Sequence, residues 1–216
     1  MTSKQKATIV VEKLKELYPK APCSLDYQGS VWKLLIMAML SAQCKDERVN
    51  QVSVGLFEKF PSIRAFADAN PEQLELAVKP CGLYRAKAKN IKAACKMLIE
   101  KFNSEIPQDM DSLLSLPGVG RKIANLMIGD VFGGPAIVTD THCIRISERL
   151  GLTNPGEKDP YRTEKALLKI IPPEESSDFC HRLVYFGRDI CIARNPKCSD
   201  CPFTDLCRSK NNGRKK

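Results

Sequence analysis

Apolar residues recur at intervals of three and four along almost the whole chain, with no sustained alternation of apolar and polar residues. The first pattern is one face of an α-helix; the second would mark a half-buried strand. An all-α fold follows. Val10, Leu14 and Leu17 line an opening helix that Pro19 and Pro22 stop, and Val31, Leu34, Leu35, Ala38 and Met39 mark a strongly apolar second one. Asp46 is placed to cap a third, with Val49, Val52 and Leu56 inward. Asn70-Pro71-Glu72 reads as a helix start, because proline suits the first turn. Beyond a turn at Cys81-Gly82, a long helix carries Ile91, Ala94, Cys95, Leu98 and Phe102. Asp109 or Asp111 opens a short helix ending near Leu116, and another runs from about Gly120 to Val131. Thr139 or Asp140 caps the next, and two more lie near Tyr161–Ile170 and Ser177–Phe186. Ala136-Ile137-Val138 is too short and isolated to build a sheet, and Gly133-Gly134-Pro135 is a plausible crossover between domains.

Ten cysteines punctuate this pattern, and Cys191, Cys198, Cys201 and Cys207 form a tight array with gaps of six, two and five residues. Thiolates that close together converge on one object, and zinc or an iron–sulfur cluster are the candidates. A disulfide scaffold fits a small secreted chain. This chain has 216 residues, and its first ten lack an apolar signal core. The longest apolar run, Leu34–Leu40, is too short to span a bilayer. The expectation is a cytoplasmic protein with no membrane association, in which the six scattered cysteines act mostly as small hydrophobes.

The formal charge is +9, and the pI of about 9.0 is at the level of a nucleic-acid footprint. From residue 181 onward nine Lys/Arg face three Asp/Glu, so the excess coincides with the cysteine array. Arg214-Lys215-Lys216 reads as a solvated tail. Metal ligation would fix the backbone around Arg182, Arg188, Arg194 and Lys197, and fixed cations can aim at phosphates.

A second motif is Leu116-Pro-Gly-Val-Gly-Arg-Lys122. Pro117 ends one helix, Gly118 and Gly120 allow positive φ and close approach of another backbone, and a new helix begins at once. Its first N–H groups lack internal partners, so the turn makes a nest of donors suited to a phosphate. An ordinary tight turn would explain Gly-x-Gly alone.

Leu116–Lys122, followed by Val138-Thr-Asp-Thr-His142 and the Cys191–Cys207 array, resembles the endonuclease III family of helix-hairpin-helix DNA glycosylases. Leu40-Ser-Ala-Gln43, Gly82–Ala88 and Cys191-Ile-Ala-Arg194 extend the likeness over nearly the whole chain. The resemblance implies a six-helix barrel over residues 24–134 and a second helical domain from residues 1–23 plus 135–216. It implies a [4Fe-4S] cluster on Cys191, Cys198, Cys201 and Cys207, with DNA in the cleft between the domains. It also implies that Lys122 attacks C1′ of a damaged nucleotide and forms a Schiff base, from which β-elimination cuts the strand. Asp140 assists base departure. A helix N-terminus, Arg121 and partial desolvation would favour the neutral amine that attack requires. The nucleotide must be flipped out to reach these groups. Gln43 would fill the hole and Leu83 would wedge the opposite strand, with Gly118, Gly120, Arg121, Arg194 and Lys197 on the DNA backbone. Asp46 is a further residue near the lesion or opposite base. Cys44-Lys45 and Thr139 depart from the family's usual residues and bear on pocket polarity.

These implications describe a monomeric glycosylase/AP lyase acting on oxidised pyrimidines in double-stranded DNA, in a prokaryotic cytoplasm at the nucleoid. One alternative is a mismatch glycosylase of the same fold. Lys122 argues against it, since such relatives carry Ser or Tyr there, and the short segment after Cys207 argues against the adenine-mismatch type. The other is a non-catalytic DNA-binding module with structural zinc, which leaves Lys122 and Asp140 together as coincidence.

Overall fold

The computed structural model describes residues 1–209, which places the basic tail Arg214–Lys216 outside the described residues. Eleven α-helices, with no strand, make up the regular structure of the described residues apart from two single 3-10 turns. The chain divides into two compact units, one formed by residues 23–132 and the other by residues 1–22 together with 133–216.

The continuous unit holds α2 (Val31–Leu40), α3 (Asp46–Lys59), α4 (Ile63–Asp68), α5 (Pro71–Val78), α6 (Tyr84–Phe102), α7 (Met110–Ser115) and α8 (Arg121–Asp130). Every residue from Leu34 to Leu40 is buried, so α2 is surrounded rather than amphipathic. Leu56, Phe66, Leu74, Ile91, Leu98, Leu113 and Met127 complete the same core. Each fully buried side chain of this kind contributes about 1.5–3 kcal/mol. Trp32 meets Phe57 edge-on with ring centroids 5.3 Å apart, and Phe60 and Phe66 extend the aromatic group.

The helix ends follow local chemistry, with instructive departures. The Asn70 side chain accepts from the N–H groups of Glu72 and Gln73, and Asp109 accepts from Ser112 N. Asp46 is the first residue of α3 rather than its cap; its carboxylate instead accepts from Ser24 Oγ at 2.6 Å. Helix α4 has no signal in the sequence pattern. It has only six residues, too few for periodicity to register, and is capped by Ser62 accepting from Ala65 N.

The second unit combines α1 (Ser3–Leu17) with α9 (Thr141–Arg149), α10 (Pro160–Leu167) and α11 (Ser176–Asp189). Val10, Val11 and Leu14 share a core with Ile146, Leu167, Phe179, Leu183 and Phe186. Polar groups fasten α1 to α11. Lys15 Nζ lies 2.7 Å from Glu175, Arg182 pairs with Glu175 at 3.0 Å and Asp178 at 2.7 Å, and Arg182 Nε donates to Tyr18 O. Arg182 is 6% exposed. Its charge is therefore committed inside this unit, and it is not one of the outward-aimed cations that the sequence suggested.

Candidate DNA repair site

The hairpin joins α7 to α8 through Leu116–Gly120. Leu116 and Val119 are buried and anchor it, while Gly118 and Gly120 are exposed. Gly118 has φ +80, and a Cβ there would lie 2.7 Å from Cβ of Asn90. Both constraints demand glycine. Gly120 differs from expectation. Its φ is −97, and a Cβ would meet nothing within 4 Å. Gly120 is the N-cap of α8, and a glycine offers no side chain to the first N–H groups. Those donors and the positive end of the helix dipole stay with the turn. Arg121 opens α8, half-buried, and Lys122 follows it with its side chain exposed.

Gln43 and Leu83 belong to the same unit as the hairpin. Gln43 lies just after α2 with φ +55, and Leu83 just before α6 with φ +47. Left-handed backbone at a glutamine and at a leucine is uncommon and costs energy. Both residues are exposed, Leu83 at 58%. A buried lysine ties their two loops together: Lys87 Nζ donates to Leu40 O at 2.8 Å and to Cys81 O at 2.7 Å. Lys87 carries little mark in the sequence. Its only signal is a cation on the apolar face of α6, four residues before Ile91.

Asp140 lies in the other unit, as the N-cap of α9, where Oδ1 accepts from Cys143 N at 2.7 Å. Thr139 beside it is buried. Lys122 and Asp140 thus stand on separate units, each at the opening of a helix.

Cys191, Cys198, Cys201 and Cys207 line one cavity of about 290 Å³, together with Arg149, Arg194 and Lys197. All four are free thiols. Burial raises Cys201 and Cys207 above the ordinary thiol range. Crowded thiolates need a cationic partner, and four sulfur donors around one space fit a [4Fe-4S] cluster. Two α9 arginines hold the entry to the array. Arg149 donates to Cys191 Sγ at 3.3 Å and to the carbonyls of Ile192 and Ala193, while Arg145 donates to Cys191 O at 2.9 Å. Phe203, inside the array, stacks edge-on against Phe186 at 5.2 Å. Nothing in the sequence marks these arginines, because an Arg pair four apart usually means a solvated helix face. Arg194 is exposed, and Lys197, also exposed, lies 3.6 Å from Asp189.

Residues 36–173 match the HhH-GPD superfamily of base excision DNA repair proteins, and residues 191–207 match the iron–sulfur binding domain of endonuclease III. The endonuclease III of Synechocystis sp. is 46% identical over 209 residues, which cover 96% of this chain and 94% of that one. The chain belongs to the endonuclease III family. A solved non-covalent endonuclease III–DNA complex superposes with a TM-score of 0.93 at 44% identity, covering 100% of both chains. A trapped covalent endonuclease III–DNA intermediate gives 0.92 at 43% identity, covering 98% of this chain and 99% of that one. This endonuclease III family member is a bifunctional base-excision repair enzyme, a DNA glycosylase with lyase activity. Its Cys191–Cys207 array is the family's iron–sulfur binding segment.

Proposed function

We propose that this enzyme removes oxidised pyrimidines from duplex DNA, with Lys122 as nucleophile and Asp140 as the carboxylate that assists base loss. The observation that carries this reading is Lys122 itself, an exposed amine in the first turn of α8, directly after the glycine hairpin. The donors of that turn hold backbone phosphate, which brings the adjoining sugar toward the amine. The neutral amine attacks C1′, the C1′–N bond breaks, and the base leaves with its bonding pair. Ring opening gives a Schiff base at C1′. Loss of a C2′ proton then expels the 3′ phosphate, and water releases Lys122. Asp140 stabilises positive charge at the sugar and accepts the proton shed by the amine. Capping occupies Oδ1, and a carboxylate has a second oxygen for this task.

A base within the stack is out of reach of both groups, so the nucleotide is flipped. Gln43 and Leu83, held on strained backbone and exposed, fill the vacated space and part the opposite strand. Gly118, Gly120, Arg121, Arg194 and Lys197 hold the DNA backbone. The four array cysteines hold a [4Fe-4S] cluster, which fixes the loop bearing Arg194 and Lys197. One copy of the chain suffices, and the substrate places it at chromosomal DNA.

Borohydride trapping on a duplex carrying thymine glycol tests the lyase step. Covalent capture by the parent, its absence in Lys122→Ala, and capture slowed by about 10²-fold or more in Asp140→Asn are expected, the scale of an acid–base contribution. Failure of the parent to trap on both oxidised-pyrimidine and abasic duplexes would remove Lys122 from this role.

A further inference from the structure

Lys87 lies on the buried face of α6, 6% exposed, where an apolar side chain would be ordinary. A lysine is rarely enclosed unless its ammonium finds partners. Here the partners are two chain ends. Leu40 is the last residue of α2, and Cys81 is the last of the 3-10 turn Lys79–Cys81. The final carbonyls of a helix have no partner within it and form the negative end of its dipole. Lys87 Nζ donates to Leu40 O at 2.8 Å and to Cys81 O at 2.7 Å, while its backbone N–H donates to Leu83 O at 3.0 Å. One residue therefore holds three points of the main chain. Gln43, with φ +55, follows Leu40 closely, and Leu83, with φ +47, follows Cys81. Turn bonds from Cys44 N to Ser41 O at 3.0 Å and from Gly82 N to Lys79 O at 3.1 Å close the two loops beside these anchors. Left-handed backbone at a glutamine and a leucine persists only where the surrounding structure over-determines it.

We propose that Lys87 is a positioning residue for nucleotide flipping: its two side-chain hydrogen bonds fix the Gln43 and Leu83 loops to each other, so that both side chains enter the duplex as one unit. The proposal rests on the reading of Gln43 and Leu83 given above. Lys87 is buried and acts through the two loops rather than on the substrate. Extruding a paired base costs stacking and pairing energy, and a residue that fills the hole offsets that cost only if it is already in place. Two exposed side chains on loose loops would lose conformational freedom at the moment of insertion. Loops pinned in advance have lost it on folding. Without the ammonium, the carbonyls of two buried residues, Leu40 and Cys81, lose a partner. The loops then relax from the left-handed backbone at Gln43 and Leu83. The loss falls on extrusion of a paired base and leaves the chemistry at C1′ untouched.

Single-turnover excision by the holoenzyme is measured on two duplexes. In one, thymine glycol faces adenine; in the other it faces an abasic analogue, so that the lesion is already unpaired and its extrusion costs least. Cluster absorbance and a thermal unfolding scan show that each variant is loaded and folded at the assay temperature. Lys87→Met is expected to slow excision of the paired lesion by at least about tenfold and of the unpaired lesion by less than about threefold. Lys87→Arg, which keeps N–H donors for both carbonyls, returns the paired rate to within about threefold of the parent. Equal losses on the two duplexes, or no loss on either, overturn the positioning role, and an Arg variant as slow as the Met variant overturns the part played by the donated bonds. A second measurement needs no change at Lys87. Gln43→Ala and Leu83→Ala are made singly and together in the parent chain. Losses that overlap in the double variant support loops acting as one unit, and losses that simply multiply overturn it. Single variants that excise the paired lesion as fast as the parent strike instead at the reading of Gln43 and Leu83, and the proposal falls with it.

Discussion

Gly118 and Gly120 stand two residues apart and answer to different constraints. Gly118 needs positive φ and has Asn90 where a side chain would go, whereas Gly120 has extended backbone and open space around it. Gly118→Ala is therefore expected to cost more than about 1 kcal/mol of stability. Gly120→Ala is expected to cost less than about 1 kcal/mol, because alanine fits the backbone and gives up only the mild preference for glycine at a cap. Its methyl group nevertheless stands where phosphate would approach, so DNA affinity falls in both variants. Urea unfolding and a binding titration separate the two losses; equal unfolding midpoints for the two variants would contradict the argument. Charge at the residue scale is equally dependent on surroundings. Arg182 and Arg194 are indistinguishable as letters, yet one is enclosed by Glu175 and Asp178 and the other is exposed.

Among elements, the α1–α11 pairing carries a titrating carboxyl, Glu175. Burial pushes the Glu175 carboxyl up, but hydrogen bonds from Lys15 and Arg182 outweigh it and hold the group below its ordinary value. A carboxyl depressed in the folded state contributes stability above its unfolded pKa of about 4.3, and that stability is lost as pH falls through the folded value. Glu175→Gln is expected to lower stability by about 1–3 kcal/mol at neutral pH, the scale of a hydrogen bond to a charged group. The gap between variant and parent closes as pH falls below 4, in a thermal-unfolding series. A gap unchanged down to the acid end would show that Glu175 acts by shape rather than charge. Element boundaries set by one side chain were legible: Asn70, Asp109 and Asp140 cap the helices that their neighbours in sequence suggested. Helix α4 was not, since its six residues are held by burial of Ile63, Phe66 and Ala67 against other helices.

At the scale of the whole molecule, a formal charge of +9 makes DNA affinity depend steeply on salt. Each phosphate contact contributes about −0.9 to the slope of log K against log salt. Arg194→Ala is expected to make that slope shallower by about one unit and to weaken binding to any duplex, damaged or not. A parallel shift with unchanged slope would mean that Arg194 makes no phosphate contact. The sequence by itself determined what depends on neighbours along the chain. Helical periodicity determined the all-α class, the spacing from Cys191 to Cys207 a common ligand, and Leu116–Lys122 a hairpin opening a helix. Only the tertiary structure decided the non-local pairings. It buried Arg182 against Glu175, set Arg149 on the Cys191 sulfur, and joined the loops of Gln43 and Leu83 through Lys87. The physical reason is that a periodic pattern records which face of a helix avoids water. It does not record which partner that face meets, and a buried charge or thiol takes its character from the partner.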